Sequence, residues 1–205
     1  MLILGTANRK KGLEMAALLA PVGIELRTLA DFPEAIAVVE SGDTFAANAA
    51  LKAVEQARHL HRWVLGEDSG LMVDALGGAP GVFSARYSGP DATDRTNNRR
   101  LLEELGDTPA EKRTARYVCH MVLSDPAGTI RAQSESTCGG RILFEPRGTH
   151  GFGYDPLFEI VEYHRTFGQL GPVVKACLSH RARAARKLIP RLMELADSGE
   201  LGHDG

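Results

Sequence analysis

The 205-residue sequence lacks the features that mark disulfide-rich, membrane-spanning or duplex-binding proteins. Its three cysteines, Cys119, Cys138 and Cys177, are too few and too scattered for a disulfide framework or a paired-cysteine zinc site. No uncharged run approaches the roughly 18 residues needed to cross a bilayer, and the first residues show no secretory leader. With 24 Lys and Arg against 26 Asp and Glu, the net charge of −2 excludes the basic field of a duplex-binding protein. We therefore expect a soluble, cytoplasmic globular protein.

Familiar nucleotide-binding and hydrolase motifs are also missing. No Gly-x-Gly-x-x-Gly follows a strand, no P-loop follows the first strand, and no Gly-x-Ser-x-Gly elbow occurs. Glycine, in contrast, is abundant, with 22 residues that cluster at 77–81, 139–140 and 151–153. Glycine is favoured where the backbone takes a positive φ or approaches a ligand closely. These clusters therefore indicate tight turns, some of them beside a ligand.

The interleaving of helical and apolar segments predicts an α/β fold with a mixed sheet. Helices are expected at residues 13–20, at about 43–61, from 93 or 94 to 106, and from a cap at 179 onward. Strands are expected at residues 1–6, 25–29, 36–40, 63–67, 71–73, 117–124, 129–135, 141–145 and 156–161. We expect one domain over residues 1–198, followed by a flexible tail over residues 199–205.

A polar segment between the first strand and the first helix is a candidate phosphate site. It carries Thr6, Asn8 and Lys11. Hydroxyl, amide and ammonium groups at a helix N-terminus suit an anion, because backbone N–H groups and the helix dipole favour negative charge there. An ordinary polar turn is the alternative interpretation.

Carboxylates follow two of the expected strands. Glu40 ends one strand, and Glu67 and Asp68 end another. Ligands of α/β sheets usually bind at such strand ends, and Mg²⁺ is held by one or two carboxylates together with substrate phosphates and water. The alternative is a set of solvated acids beside turns, but two adjacent carboxylates between apolar strands favour a functional site.

Three further groups of polar or aromatic residues lie near predicted helix and strand ends. Asn48 and Lys52 are four residues apart and share a helix face. The glycine-flanked turn at residues 151–156 can expose an aromatic ring for stacking on a base. Lys175 and residues 179–181 offer donors to an anion or to a carbonyl-rich base. Solvated helix faces and small satellite cores are the alternatives.

Taken together, five motifs resemble those of one enzyme family. They are Thr6-x-Asn8-x-x-Lys11; residues 40–45 with Asn48 and Lys52; residues 68–76 with 80–87; residues 151–156; and Lys175 with residues 179–181. In this order they resemble the inosine triphosphate pyrophosphatase family, the Ham1-like enzymes that act on non-canonical purine nucleoside triphosphates. The chain departs from the family pattern at Ala7 and Lys10, where glycine is usual, and at Glu67, where aspartate is usual.

The resemblance implies a fold, an activity and a set of site residues. The fold is a mixed central β-sheet flanked by helices, in two lobes with a nucleotide cleft between them. The activity is Mg²⁺-dependent hydrolysis of ITP, dITP and XTP to the monophosphate and pyrophosphate, in a cytoplasmic homodimer without nucleic-acid or membrane partners. The implied catalytic residue is Asp68, and the implied metal ligands are Glu40, Glu67 and Asp68. The implied substrate-binding residues are Thr6, Asn8, Lys11, Lys52, Ser69, Phe152, Gly153, Tyr154, Asp155, Lys175, His180 and Arg181.

The expected chemistry is mainly positioning and charge stabilisation, because phosphoryl transfer asks for little covalent work from a protein. Asp68 would orient and deprotonate the attacking water, and the sequence leaves open whether it also binds the metal. Phe152 would stack on the base, while His180 and Arg181 would donate to its 6-keto oxygen. Two alternatives remain: a pyrophosphatase for modified pyrimidine nucleotides, and a nucleotide-binding regulatory protein that has lost catalysis, which the altered first loop keeps open.

Overall fold

The computed structural model describes residues 1–201, and its helices and strands alternate through the first half of the chain. The helices are α1 (Arg9–Leu19), α2 (Phe45–Leu60), α3 (Asp94–Leu105), α4 (Phe167–Leu178) and α5 (His180–Asp197). The strands are β1 (Leu2–Gly5), β2 (Leu26–Thr28), β3 (Val64–Val73), β4 (Thr114–Ser124), β5 (Ile130–Ile142), β6 (Phe158–Ile160) and β7 (Arg165–Thr166).

The strands form one mixed sheet of seven, in the order β2-β1-β3-β4-β5-β6-β7. β1 pairs in parallel with both β2 and β3, whereas β6 pairs antiparallel with both β5 and β7. Parallel strands in the first half need a connection, usually a helix, that carries the chain back to the end of the sheet where the previous strand began. Antiparallel strands need only a turn in which the chain reverses direction. The predicted α/β class, a mixed sheet flanked by helices, is confirmed.

The chain divides into two compact units. The first contains residues 1–68, 119–136 and 181–205, and the second contains residues 69–118 and 137–180. The core of the first unit is built from apolar side chains of β1, α1 and α5, among them Leu4, Leu19 and Leu188. The core of the second is rich in aromatic rings, among them Tyr117 and Phe158.

Several predicted boundaries were wrong, and each error has a local cause. The segments 63–67 and 71–73 are one strand, β3, because Ser69 and Gly70 continue the extended backbone. Likewise, 129–135 and 141–145 join into the long β5, which ends at Ile142. Residues 36–40 form no strand in the structure; instead they bond to side chains of α2.

Helix α4 was not predicted, because its sequence contains three residues that disfavour a helix: Gly168, Gly171 and Pro172. Thr166 caps this helix, because its hydroxyl accepts a hydrogen bond from the backbone N–H of Gln169. In return, the side-chain oxygen of Gln169 accepts a hydrogen bond from the Thr166 N–H. Gly171 has a φ of 77° and interrupts the helix, so the glycine marks a kink between two helical turns.

The first residues of the expected C-terminal tail are packed. Leu201 is buried in the first unit's core, and its carbonyl accepts a hydrogen bond from the Met1 ammonium. The Trp63 indole donates to the carbonyl of Glu200. Residues 200 and 201 are thus packed against the first unit, and residues 202–205 lie outside the described part of the chain, so the predicted flexible tail stays a prediction.

A search of the helices in the described residues found none with both the length and the apolar composition of a membrane span.

Candidate active site

Strand β3 presents its two adjacent carboxylates to different partners. Asp68 contacts α2, whereas Glu67 contacts α1 and α5 side chains. This separation follows from the two-residue period of a strand, which turns successive side chains to opposite faces. Gly66 lets α2 approach the strand closely, since a Cβ there would lie 2.4 Å from the carbonyl oxygen of Ala49.

One lysine joins two carboxylates that lie 28 residues apart in the sequence (68 − 40 = 28). The Lys52 ammonium lies 2.9 Å from Oδ1 of Asp68 and 3.4 Å from Oε1 of Glu40. Asn48, one helical turn earlier on α2, is fully buried and donates from Nδ2 to Oδ2 of Asp68 at 3.4 Å. The helix face predicted from the spacing of Asn48 and Lys52 therefore faces these acids.

Burial and charge act against each other in this pair. Burial raises the pKa of Asp68, and the nearby Lys52 ammonium offsets only part of that rise. Burial lowers the pKa of Lys52, but the carboxylates of Asp68, Glu67 and Glu40 together outweigh it, so this pKa lies above its ordinary value. The result is a charged lysine beside a carboxylate that accepts a proton more readily than an exposed aspartate does.

The acids around Lys52 suit a hard divalent cation. The carboxylate oxygens of Glu40 and Asp68 both contact one cation, the Lys52 ammonium. Within residues 1–201 no cluster of three or more His, Cys, Asp or Glu side chains is arranged for a metal. A set of two carboxylates is nevertheless what Mg²⁺ uses when phosphates and water complete its shell.

The third predicted metal ligand, Glu67, lies in a different network. Its side chain is 1% exposed and contacts the Lys11 ammonium at 2.9 Å and the Arg181 guanidinium at 2.9 Å. The Cys119 thiol donates to the same carboxylate at 3.5 Å. Glu67 is also close enough to Lys52 to raise the pKa of that ammonium. Its role as a metal ligand stays a prediction.

Arg181 is fully buried and bridges two acids. Besides Glu67, its guanidinium contacts Glu14 of α1 at 2.5 Å. Burial lowers the pKa of Arg181, but the surrounding carboxylates, Glu67 first, raise it above its ordinary value. The pKa of the Cys119 thiol lies well above its usual range. Burial is the largest cause, and the nearby Glu67 carboxylate is the second.

The candidate phosphate segment forms the start of α1. Asn8 caps the helix, and its Oδ1 accepts from the backbone N–H groups of Lys10 and Lys11 at 3.0 and 3.2 Å. The Thr6 hydroxyl accepts from the N–H of Asn8. These side chains therefore order the turn, and Lys11 extends from it to Glu67.

In the second unit, Asp155 organises the glycine-flanked turn. Its Oδ2 accepts from the N–H of Phe152 at 2.8 Å and from the Lys175 ammonium at 2.6 Å. Gly151 has a φ of 78°, and a Cβ there would lie 2.0 Å from Oδ2 of Asp155. Lys175 also lies 4.3 Å from the centroid of the Phe152 ring. A buried carboxylate thus fixes a cation and an aromatic ring side by side.

A second aromatic contact places His180. Its ring stacks on Tyr117 with centroids 4.7 Å apart and planes 9° apart, and the Tyr117 hydroxyl donates to Oδ1 of Asp155 at 3.4 Å. Phe152, Asp155, Lys175 and His180 therefore form one connected group. Tyr154 instead has a core position, since it is buried and donates to the carbonyl of Ser84.

The remaining predicted residues lie on backbone turns and strands. Ser69 is half-buried on β3, directly after Asp68. Gly153 has a φ of 62°, and its carbonyl accepts from the amide of Asn98 on α3.

Two residues of these networks were missed from the sequence. Glu14 contacts Arg181, and Tyr117 contacts both His180 and Asp155. Glu14 is three residues after Lys11 on α1, so helical spacing predicts a shared face. Tyr117 lies in an apolar strand, where its pattern is that of a core residue, and only the tertiary structure reveals its role.

Comparison with known proteins decides the family. A sequence model of the Ham1 family matches residues 2–191. The chain belongs to the Ham1 family. It is 55% identical over 197 residues to a Rhodopirellula baltica protein named dITP/XTP pyrophosphatase, covering 96% of this chain and 95% of that protein. The family resemblance inferred from the five motifs is therefore confirmed.

Solved structures of Ham1 proteins share the fold. A HAM1 protein from Coxiella burnetii superposes with a TM-score of 0.86 at 35% identity, covering 94% of this chain and 98% of that one. A Mycobacterium abscessus structure described as a nucleoside-triphosphatase / dITP/XTP pyrophosphatase gives a TM-score of 0.75 at 40% identity, covering 93% of this chain and 98% of that one. The family assignment thus extends over nearly the whole of each chain.

Proposed function

We propose that this Ham1 protein hydrolyses non-canonical purine nucleoside triphosphates, ITP, dITP and XTP, to the monophosphate and pyrophosphate. Its relatives that carry the name dITP/XTP pyrophosphatase span nearly its whole length. The observation that carries the proposal is the meeting of Glu40 and Asp68 at the Lys52 ammonium. Two carboxylates that converge on one cation can hold the Mg²⁺ that assists cleavage of a phosphoric anhydride.

The proposed metal is Mg²⁺, held by Glu40 and Asp68. A bound Mg²⁺ would neutralise phosphate charge and favour departure of pyrophosphate. Lys52 lies between these carboxylates, and its ammonium would pair with a phosphate oxygen of the bound substrate. Thr6, Asn8 and Lys11 at the start of α1 are proposed to bind the phosphates.

Asp68 is the proposed general base. Its carboxylate would accept the proton of the attacking water, and its buried position supports this role because burial raises its pKa toward the working range of a base. Asn48 fixes the carboxylate by donating to Oδ2, which leaves Oδ1 with Lys52. General-base assistance of this kind is worth about 10²–10⁴-fold in rate.

The connected group in the second unit is the proposed base site. Phe152 would stack on the purine, and Lys175 and His180 would donate to its 6-keto oxygen, which adenine replaces with an amino group. A site built on such bonds rejects a mismatched base strongly, by roughly 10⁴-fold. The N–H of Phe152 is already donated to Asp155, so side chains rather than this backbone group supply the donors.

Three further expectations remain part of this proposal. Gly153, Asp155 and Tyr154 would shape the base turn, and Ser69 would lie beside the scissile bond. Arg181 would donate to the base. The protein would act in the cytoplasm as a homodimer.

A substrate panel tests the proposed function. We expect pyrophosphate release from ITP, dITP and XTP to exceed release from ATP, GTP and dUTP by at least 100-fold in kcat/KM, and to require Mg²⁺. A preference for dUTP would support the pyrimidine alternative. Tight ITP binding without pyrophosphate release, at any Mg²⁺ concentration, would support the regulatory alternative and contradict the enzyme.

A further inference from the structure

A third polar residue of α2 lies on the helix face that carries Asn48 and Lys52. Gln56 follows Lys52 by four residues and is 1% exposed. Its Oε1 accepts from the N–H of Ile36 at 3.4 Å, and its Nε2 donates to the carbonyl of the same residue. Both backbone groups of Ile36 are therefore bound by one buried side chain.

The segment bound by Gln56 is also held from α2 by the ion pair between its Glu40 carboxylate and the Lys52 ammonium. It has neither helix nor strand from residue 36 to 42, and within this described stretch no side chain is buried. Ile36 is 38% exposed and Val39 is 75% exposed, so their burial contributes little to holding the backbone. Hydrogen bonds from α2 thus set the path of the segment that ends in Glu40.

The other end of the segment is tied to the same helix. The N–H of Gly42 donates to Oδ1 of Asn48 at 2.8 Å, and a Cβ on Gly42 would lie 2.6 Å from the Ala47 Cβ. Beyond Gly42, the Thr44 hydroxyl caps α2 by accepting from Ala47. Gln56 and Asn48 therefore hold the segment at two points, with Glu40 between them.

The distances show that two ties are needed. Eight helical residues separate Asn48 from Gln56, which is about 12 Å along the axis. The six residue steps from Ile36 to Gly42 can span up to about 20 Å when extended. Because the segment is longer than the gap it crosses, the tie at Gly42 and the ion pair of Glu40 with Lys52 do not determine the backbone path at Ile36, which the Gln56 amide fixes.

We propose that Gln56 is a positioning residue that fixes Glu40 beside Asp68 and so sets the affinity of the site for its divalent cation. Gln56 acts through the backbone of Ile36 and touches neither metal nor substrate. Supporting residues of this kind typically contribute 10–100-fold to metal affinity. The inference rests on the proposed function, since it assigns Glu40 to the metal.

Gln56→Met tests this role, because methionine has a similar volume but cannot form either hydrogen bond. We expect the Mg²⁺ concentration for half-maximal ITP hydrolysis to rise about tenfold, with a smaller change in the KM for ITP at saturating Mg²⁺. Binding of Mn²⁺ alone, followed by electron paramagnetic resonance without nucleotide, should weaken by a similar factor. Glu55→Met, one position away on the exposed face of α2, is the matched control and should change neither value.

Hydrogen–deuterium exchange provides a readout independent of activity. Amides of residues 36–42 should exchange about tenfold faster in Gln56→Met than in the wild type, with the rest of α2 unchanged. A lowered melting temperature with unaltered Mn²⁺ binding and unaltered exchange would make Gln56 a purely structural residue and overturn the proposal.

Two further outcomes are distinguishable. If Gln56→Met does not fold, hydrogen–deuterium exchange of the wild-type protein provides the test. Exchange of the Ile36 amide at the rate of an unstructured peptide would overturn the proposal. Clear protection of this amide would support it. If the wild type releases no pyrophosphate, the proposed function fails, whereas the Mn²⁺ and exchange measurements still test the role of Gln56.

Discussion

At the scale of single residues, the two neighbours Glu67 and Asp68 illustrate how position on a strand decides chemistry. Asp68 faces one lysine and one amide, while Glu67 faces two cations and a thiol. Both are buried carboxylates that share a cation with a second acid: Asp68 shares Lys52 with Glu40, and Glu67 shares Arg181 with Glu14. Their roles in the proposed reaction therefore differ, and substitutions should separate them.

Asp68→Asn should abolish turnover with little loss of nucleotide binding. The amide keeps the size of the side chain and can still pair with Asn48, but it cannot accept a proton from water. We expect kcat to fall by about 10²–10⁴-fold, measured as pyrophosphate release, with ITP affinity by equilibrium binding within a few-fold of wild type. Asp74→Asn, at an exposed acid that pairs with Arg116, is the control. Wild-type rates in Asp68→Asn would refute the base assignment.

Arg181→Met should destabilise the protein strongly. It removes the guanidinium from between Glu14 and Glu67, leaving Glu67 buried with one fewer cation. Breaking a buried pair from one side costs about 3–5 kcal/mol, which urea denaturation can measure. Adding Glu67→Gln should recover part of this loss, because it removes a buried charge that has lost one of its two cations.

The matched control for this cycle is Arg116→Met. Arg116 pairs with Asp74 at 2.8 Å, but both side chains are about half exposed. Exposed pairs contribute about 1 kcal/mol or less. A loss as small in Arg181→Met as in Arg116→Met would contradict the structural role of the buried network.

Residue types and spacing predicted much of the site, but not its grouping. The motifs identified Glu40, Lys52 and Asp68, which the structure brings together. They also placed Glu67 with the metal, which stays a prediction, but they did not reveal its ion pairs with Lys11 and Arg181, because those residues lie far away in the sequence. Gln56 was not identified, because no sequence motif marks a buried glutamine in a helix and its partners are the backbone groups of Ile36.

At the scale of elements, the contact of α2 with β3 determines the geometry around Asp68. Gly66 is the point of closest approach, where a Cβ would meet the backbone of Ala49 at 2.4 Å and of Ala53 at 2.7 Å. Neither atom is the end of a flexible side chain. Any side chain at position 66 must therefore push α2 away from the strand that carries Asp68.

Gly66→Ala should reduce stability and activity together. We expect a loss of about 1–3 kcal/mol in unfolding free energy from overpacking, and at least a tenfold fall in kcat/KM because Lys52 and Asn48 move with α2. Gly139→Ala in β5 is the matched control, since a Cβ there meets no atom within 4 Å. Equal effects of the two substitutions, by urea denaturation and pyrophosphate release, would contradict this account.

Helix α3 supports a tyrosine with an altered titration. Burial, with a hydrogen bond to Glu104, raises the pKa of Tyr87 to about 12. Arg100 of the same helix lies over the Tyr87 ring, with its guanidinium 4.7 Å from the centroid. An ordinary tyrosine has a pKa near 10, so the neutral phenol is favoured in the folded state.

This shift predicts a window of alkaline destabilisation. Because the folded pKa lies above the unfolded one, the stabilising contribution is complete below pH 10 and is lost as the pH rises through 12. The difference in unfolding free energy between the wild type and Tyr87→Phe should therefore shrink between pH 10 and pH 12, measured by urea denaturation at each pH. A difference that stays constant over this range would show that the phenol titrates normally.

Elements with regular patterns were predicted more accurately than irregular ones. Helices α2 and α3 began at their predicted caps, Thr44 and Thr93, because a hydroxyl that accepts from the first turn is a local signal. Helix α4 was missed, since its stability comes from tertiary packing around Phe167 rather than from propensity. The segment 36–40 has strand-like residues, but hydrogen bonds from α2 determine its path.

At the scale of the whole molecule, the two compact units carry different chromophores. The single tryptophan, Trp63, lies in the first unit, and all four tyrosines lie in the second. Strands β3, β4 and β5 each begin in one unit and end in the other. A strand cannot lose half of its ladder without exposing backbone groups that were paired, so these shared strands couple the unfolding of the two units.

We therefore expect one cooperative unfolding transition. Tryptophan fluorescence reports the first unit, in which the Trp63 indole donates to the Glu200 carbonyl, and near-ultraviolet absorbance of tyrosine reports the second. The two probes should give urea midpoints that agree within error and a single m-value, the standard mark of two-state behaviour. If the tyrosine signal is lost at a clearly lower urea concentration than the tryptophan signal, the three shared strands do not couple the units. Gly66→Ala adds a sharper comparison, because the strain lies in the first unit alone: with coupled unfolding, both midpoints shift equally, and without it only the tryptophan midpoint moves.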